Sequence, residues 1–217
     1  MSPAAIFFSF LGVLLLILLF IIFTDGRYFG KGIMYWVYDR LAPGMFGAQS
    51  ESERWQALAQ TLNLRGDERL LDVGTAAGDL PLSLAARFEK LHVTGVDWSP
   101  GMIVAAQREA QRRGLSQRAH FQVADLRQGL PFETAAFDAI FCLGLVETLP
   151  GPERNLAELT RLLAPHGVLV LSLYTGLASK TVAISLEHYR QMLAPLGLGD
   201  LQTIPCRANH DVLVARR

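Results

Sequence analysis

Residues 70–79 read Leu70-Leu71-Asp72-Val73-Gly74-Thr75-Ala76-Ala77-Gly78-Asp79, and the passage from apolar to small residues in this stretch decides the fold. The apolar run has the composition of a buried strand, a small-residue turn follows at once, and a helical pattern comes after it. Gly74, Ala76 and Gly78 lack bulk, so the chain can turn tightly and offer backbone N–H groups to a ligand at a helix N-terminus. Small residues in such a turn can equally serve close packing of helix on strand, and the loop alone does not choose between the two.

Outward from this loop, short apolar runs alternate with helical stretches. Residues 69–73, 92–96, 120–124, 137–143 and 168–173 read as strands, and 201–205 and 211–215 add two more after a helix near 186–194. The first five are apolar almost throughout, as strands are when helices cover both faces of a parallel sheet. The predicted class is therefore doubly wound α/β, with a seven-stranded, mostly parallel sheet. Ser50 followed by Glu53 makes a capping-box start, and Trp55, Leu58, Ala59 and Leu62 fall on one helical face, so the domain is expected to open there and to run over 50–217.

The second informative stretch is Gly95-Val96-Asp97-Trp98-Ser99-Pro100-Gly101-Met102, in which Asp97 ends the second strand. A carboxylate there can accept both hydroxyls of a ribose, or it can cap the helix that follows. The spacing Asp72-x-Gly74-x-Ala76-x-Gly78 departs from the G-x-G-x-x-G of dinucleotide-binding loops, which makes an NAD oxidoreductase the weakest reading. Composition narrows the rest. The 217 residues suit one domain and an appendage, and 20 basic against 20 acidic residues give no electrostatic footprint for a nucleic-acid partner. Cys142 and Cys206 have no Cys or His at metal-ligand spacing, so neither a disulfide framework nor a metal site is expected.

With Val123-Ala124-Asp125-Leu126, Leu130-Pro131-Phe132, Phe137-Asp138 and Arg161-Leu162-Leu163-Ala164-Pro165-His166-Gly167 added in that order, the sequence resembles the class I methyltransferase superfamily. Within it, the likeness is to the methyltransferase-11-like group that includes quinone C-methyltransferases, and it covers the chain from Tyr38 onward. The resemblance implies S-adenosylmethionine as cofactor. It implies further that Asp72 and the loop of Gly74, Thr75, Ala76 and Gly78 hold the methionine moiety and that Asp97 holds the ribose. Trp98 and Met102 would flank the adenine, Asp125 would accept from its amine with Leu126 beside it, and Leu143 and Gly144 would line the pocket near the sulfonium. Ala76 stands where the family usually has glycine.

Before this domain lies an apolar stretch, residues 4–23, interrupted only by Ser9 and Gly12 and long enough as a helix to span about 30 Å of hydrocarbon. It lacks the basic start and the cleavage site of a secretory signal and reads as an anchor over 1–24. Arg27, Lys31 and Arg40 follow it and no basic residue precedes it, which predicts a single-pass membrane protein with its N-terminus outside and its catalytic domain cytoplasmic. Tyr28, Phe29, Tyr35, Trp36 and Tyr38 crowd the segment 25–49, suited to a membrane interface, to packing on the domain, or to both. The Tyr38-Asp39-Arg40-Leu41-Ala42 stretch resembles one that lies over the cofactor in quinone-type relatives. An anchor joined to it points to a membrane-borne, lipophilic small-molecule acceptor, such as a quinone, isoprenoid, phospholipid amine or thiol. A soluble or protein acceptor, and a non-catalytic nucleotide-binding assembly factor, are the alternatives.

No catalytic base is assigned from sequence. A sulfonium methyl is already electrophilic, so holding the nucleophile in line supplies most of the acceleration. Glu147, Tyr174, and His188 with Tyr189 are candidates by position, with Glu147 more readily taken as an acid that caps or solvates a loop. His166, His92 and His120 read as structural.

Overall fold

The computed structural model describes residues 12–13, 39, 52–175, 184–207 and 210–217. The chain opens there with helix α1 (Ser52–Thr61) and continues through β1 (Arg69–Val73), α2 (Asp79–Arg87), β2 (His92–Asp97), α3 (Pro100–Arg112) and β3 (Ala119–Val123). A 3-10 turn (Leu126–Gln128) leads to β4 (Phe137–Cys142), and a second one (Val146–Thr148) to α4 (Pro152–Leu162) and β5 (Leu163–Tyr174). Helix α5 (Leu186–Leu193) then precedes β6 (Asp200–Arg207) and β7 (His210–Arg216).

The seven strands form one sheet in the order β3-β2-β1-β4-β5-β7-β6. The first five are parallel, whereas β7 lies antiparallel between β5 and β6. All seven expected strands are present. The doubly wound reading holds for β1 to β5, and the C-terminal hairpin accounts for the antiparallel remainder. Strand order reverses between β1 and β4, so the connections after these two strands diverge and leave a crevice at their C-terminal ends.

Two apolar cores, one per sheet face, explain the continuous hydrophobic runs. Leu70, Val93, Phe121, Phe141 and Val170 point to one side and pack with Leu58, Leu84 and Ile103 of α1, α2 and α3. Leu71, Val96, Ile140 and Leu171 point to the other side, with Leu156 of α4 and Tyr189 of α5. Because both faces are covered, side-chain alternation produces no polar face. Strand β5 begins five residues earlier than the apolar run suggests: Leu163 already pairs with Phe137, before a register shift between Phe137 and Ala139. His166, left-handed at φ 62°, turns the chain within this stretch.

Some expectations fall outside the described residues. The apolar stretch 4–23 is represented only by Gly12 and Val13, both helical, and the aromatic segment 25–49 only by Asp39. Ser50 of the capping box is also outside, and α1 begins at Ser52, whose hydroxyl accepts from the Gln56 side chain. Among the described residues no helix is long and apolar enough to cross a membrane.

The Phe121 ring is wedged beneath the glycine loop. A Cβ on Gly95 would stand 2.5 Å from its Cδ1 and 2.7 Å from the Thr75 hydroxyl, and a Cβ on Gly78 would stand 3.0 Å from Cε1 and Cζ. Gly95→Ala is therefore expected to destabilise the fold by about 1–3 kcal/mol, as overpacking of a filled core does. A denaturant midpoint unchanged from that of the parent protein would refute this packing.

Candidate active site

The C-terminal ends of β1 and β2 are joined by one carboxylate. Asp97, 3% exposed, accepts through Oδ2 from the Ala76 N–H at 3.0 Å and through Oδ1 from the Ser99 N–H at 2.9 Å. It is not the helix cap: that place belongs to Ser99, whose hydroxyl accepts from Met102 N–H. A carboxylate offers about four acceptor positions. Two of them take the N–H groups of Ala76 and Ser99, and a carboxylate at this strand end is placed to meet the hydroxyls of a ribose.

Of the two purposes left open by the sequence, the glycine loop serves close packing: the N–H groups of Gly74 and Thr75 donate to the Val96 carbonyl, that of Gly78 to the Thr75 carbonyl and that of Ala76 to Asp97. Gly74 and Gly78 have φ of 80° and 81°, a region that only glycine enters at little cost, and Gly78 also gives way to Phe121. Ala76 shares the left-handed conformation at φ 47°. For a residue with a Cβ this costs about 1–2 kcal/mol, and the hydrogen bond to Asp97 helps to hold it. The residue that departs from the family's glycine thus keeps the backbone conformation a glycine would adopt.

Asp72, 5% exposed, is desolvated and lies near Asp97 and Asp79; burial pushes its carboxyl up to about 7, with the Thr75 hydroxyl offsetting part of the shift. A cationic group beside it would favour its charged form, as would suit a cofactor that bears a sulfonium and an ammonium. The acidic pair Asp72 and Asp97, the tight small-residue loop and the crevice between β1 and β4 together fit S-adenosylmethionine.

The other expected residues divide. Trp98 is half-buried beside Asp97, whereas Met102 and Leu126 are buried and Met102 has no exposed surface. Asp125 is already engaged: the Arg127 guanidinium reaches both of its oxygens, at 2.9 and 2.6 Å, and its Oδ1 accepts from Arg127 N–H. This ion pair holds the carboxyl below its ordinary range. An adenine amine would have to share Asp125 with Arg127, a partner two residues along that no motif in the sequence marks out. Leu143 and Gly144 follow β4, and Gly144 N–H donates to the Ser172 hydroxyl at 2.6 Å. From the lead-in segment, Asp39 Oδ1 accepts from the Ser99 hydroxyl at 2.6 Å and from Gly101 N–H at 2.8 Å. Gly101 has no room for a side chain, since a Cβ would collide with the Asp39 carbonyl oxygen.

Glu147 departs from its expected role as a loop-solvating acid. Both of its oxygens are buried with no well-formed hydrogen bond among the described residues, although the Ser172 hydroxyl and the Glu147 N–H lie near enough to favour its charged form. Burial pushes its carboxyl up to about 7. His188 is exposed on α5, while its neighbour Tyr189 is buried. Sequence reading passes over His210, whose Nε2 lies 2.9 Å from the Ser172 hydroxyl and whose ring stacks on Tyr174 at 5.1 Å. The antiparallel register that sets Tyr174 opposite His210 is the only signal that brings it to the site, and it is not legible in one strand.

Comparison with known proteins agrees with this geometry. A family model described as a methyltransferase domain matches residues 70–167. A demethylmenaquinone methyltransferase of Thermus thermophilus is 40% identical over 54% of this chain and 53% of its own length. A phosphatidylethanolamine N-methyltransferase of Cereibacter sphaeroides is 34% identical over 58% of this chain and 59% of its own. The chain spans about half the length of the curated relatives it matches. Among solved structures, a SAM-dependent methyltransferase from Aquifex aeolicus superposes with a TM-score of 0.65 at 20% identity, covering 75% of this chain and 88% of that one, which shows the shared fold. Asp97→Ala is expected to weaken binding of S-adenosylhomocysteine at least 100-fold by calorimetry while unfolding stays cooperative, and undiminished affinity would refute the ribose assignment. With its 3-2-1-4-5-7-6 sheet and its acid-bearing glycine loop, the chain has the fold of that solved methyltransferase, and its residues 70–167 match the methyltransferase-domain model.

Proposed function

We propose that the protein transfers a methyl group from S-adenosylmethionine to a small lipophilic acceptor of the quinone kind, met at a membrane surface. The observation that carries this reading is the pair of hydrogen bonds from Ser99 and Gly101 to Asp39. They fasten the lead-in segment to the strand end that bears Asp97. The apolar stretch ends at residue 23, and Asp39 follows 16 residues later. Sixteen residues reach at most about 55 Å when extended, so a chain anchored by residues 4–23 would keep the mouth of the crevice within that distance of the bilayer, on the side where Arg27, Lys31 and Arg40 lie. Relatives named for demethylmenaquinone, ubiquinone biosynthesis and phosphatidylethanolamine support an acceptor drawn from the lipid phase.

On this reading, bound S-adenosylmethionine supplies an electrophilic methyl group, and the residues of the chain position its surroundings. Asp97 fixes the ribose, the small residues of the Gly74–Gly78 turn let the methionine end approach the backbone, and Asp72 answers the positive charge. Leu143, Gly144 and the half-buried Leu145 line the way from the crevice toward β5. Holding the acceptor at near-attack distance provides most of the acceleration.

The test compares the full chain with a version lacking residues 1–24, each given a deuterated methyl donor and vesicles containing demethylmenaquinol. Mass spectrometry is expected to find a labelled methyl group on the quinone with the full chain and a rate at least tenfold lower with the truncated one. Equal rates for the two forms would contradict a role for the anchor. Absence of label on the quinone, with label on a water-soluble acceptor instead, would contradict the lipophilic assignment.

A further inference from the structure

Past the end of β4, a group of polar side chains is enclosed that neither cofactor binding nor folding explains. Glu147 buries both carboxylate oxygens and Tyr189 buries its hydroxyl, and among the described residues none of these atoms makes a well-formed hydrogen bond, Ser172 being the polar side chain that lies near Glu147. An unpaired buried polar group costs about 1–3 kcal/mol, and a fold has no need to keep three such atoms in one place. Cys142 and Tyr189 both feel the charge of Glu147, Cys142 feels that of Asp72 as well, and Tyr174 lies near Tyr189. The Ser172 hydroxyl favours the charged form of Glu147, while it also accepts from Gly144 N–H and touches His210 Nε2. The groups facing Glu147 thus come from β4, β5, α5 and β7. Among these described groups, the only one able to carry positive charge is His210, set one step away behind Ser172.

The cluster adjoins the cofactor crevice. A Cβ on Gly74 would touch the side chain of Leu145, two residues before Glu147, at 3.1 Å, so the loop after β1 and the loop after β4 are in contact. A carboxylate here stands two residues from a side chain that touches the glycine loop, with its oxygens screened from water.

We infer that Glu147 is the proton acceptor of the reaction, taking the hydroxyl proton of a phenol or hydroquinone, with Ser172 and His210 as its positioning residues. The inference rests on the methyltransferase reading above and narrows its substrate class to acceptors that must lose a proton. The O–H bond breaks and its proton moves to the Glu147 carboxylate. The electron pair so released forms the new bond to the methyl carbon, either from oxygen or from the ring carbon that the oxyanion activates. The carbon–sulfur bond breaks with its pair left on sulfur. In carbon methylation the displaced ring proton returns to oxygen, so one proton is released in either case and Glu147 passes it to solvent. A carboxyl that titrates near neutrality suits this proton transfer, being ionised enough to act and basic enough to draw a proton from a hydroxyl whose ordinary pKa is near 10.

Three variants of the full chain test this, with demethylmenaquinol in vesicles as acceptor. For the parent protein kcat is expected to rise about tenfold per pH unit below 7 and to level above it. Glu147→Gln, which has nearly the shape of the neutral carboxyl, should lower kcat at least 100-fold and remove this limb, leaving the affinity for S-adenosylhomocysteine unchanged. Glu147→Asp should recover part of the rate. Ser172→Ala should move the limb to higher pH, so that a severalfold loss at pH 7 recovers by pH 9, which a merely structural defect would not do. Full activity and an unaltered profile in Glu147→Gln would overturn the inference. A second readout needs no turnover: the infrared carboxyl band that Glu147→Gln removes should titrate between pH 6 and 8 in the complex with S-adenosylhomocysteine. If the parent protein leaves the quinol unmethylated, the acceptor assignment fails alone, and a Glu147 band titrating in that window still upholds the poised base. A band that titrates below pH 5 overturns it.

Discussion

The Asp97 carboxylate is the constraint on which the site depends. Its two oxygens hold Ala76 N–H on one side and Ser99 N–H on the other, so the turn after β1 and the turn after β2 have a common anchor at the crevice where strand order reverses. Ala76 sits in a left-handed conformation that a residue with a Cβ resists, and that anchor opposes its relaxation. Ser99 in turn caps α3 and donates to Asp39, so the same carboxylate indirectly fixes the helix start and the segment leading in from the N-terminal side. One buried acid sets the spacing of three chain segments.

A second regularity is the burial of acids at adjacent strand ends. Asp72 near the end of β1 and Glu147 beyond β4 both have carboxyls raised by desolvation to about 7, with Cys142 lying near both. Asp125, beyond β3 and two strands outward from β1, is the contrast: its guanidinium partner holds its carboxyl below the ordinary range. Three acids near one crevice therefore have different protonation behaviour, set by whether a cation is at hand. The two raised ones flank the place where a cationic cofactor would lie, and the lowered one stands on the far side of the nucleoside position.

Much of this was legible in the sequence. All seven strands could be placed because residues alternating between two covered faces leave continuous apolar runs, and the Gly74–Gly78 turn announced itself through small residues next to an acid. Asp97 could be singled out because it closes a strand. Less legible was anything carried by a long-range register or by local competition. His210 reaches Ser172 only because β7 runs antiparallel to β5. Arg127 claims Asp125 through a contact that composition does not distinguish from a solvated pair. Glu147 looked like an ordinary loop acid, since its burial depends on α5 and on the end of β5 folding against it. Phe121, which explains Gly78 and Gly95 together, lies on a third strand and cannot be paired with either from sequence alone.

A structure of the full chain bound to S-adenosylhomocysteine tests the central claim most directly. The account predicts both ribose hydroxyls within about 3 Å of the Asp97 oxygens, the amino-acid end at the Gly74–Gly78 turn, and the sulfur directed toward the Leu145–Glu147 loop. A nucleoside held elsewhere on the sheet, or one whose ribose makes no contact with Asp97, would contradict it.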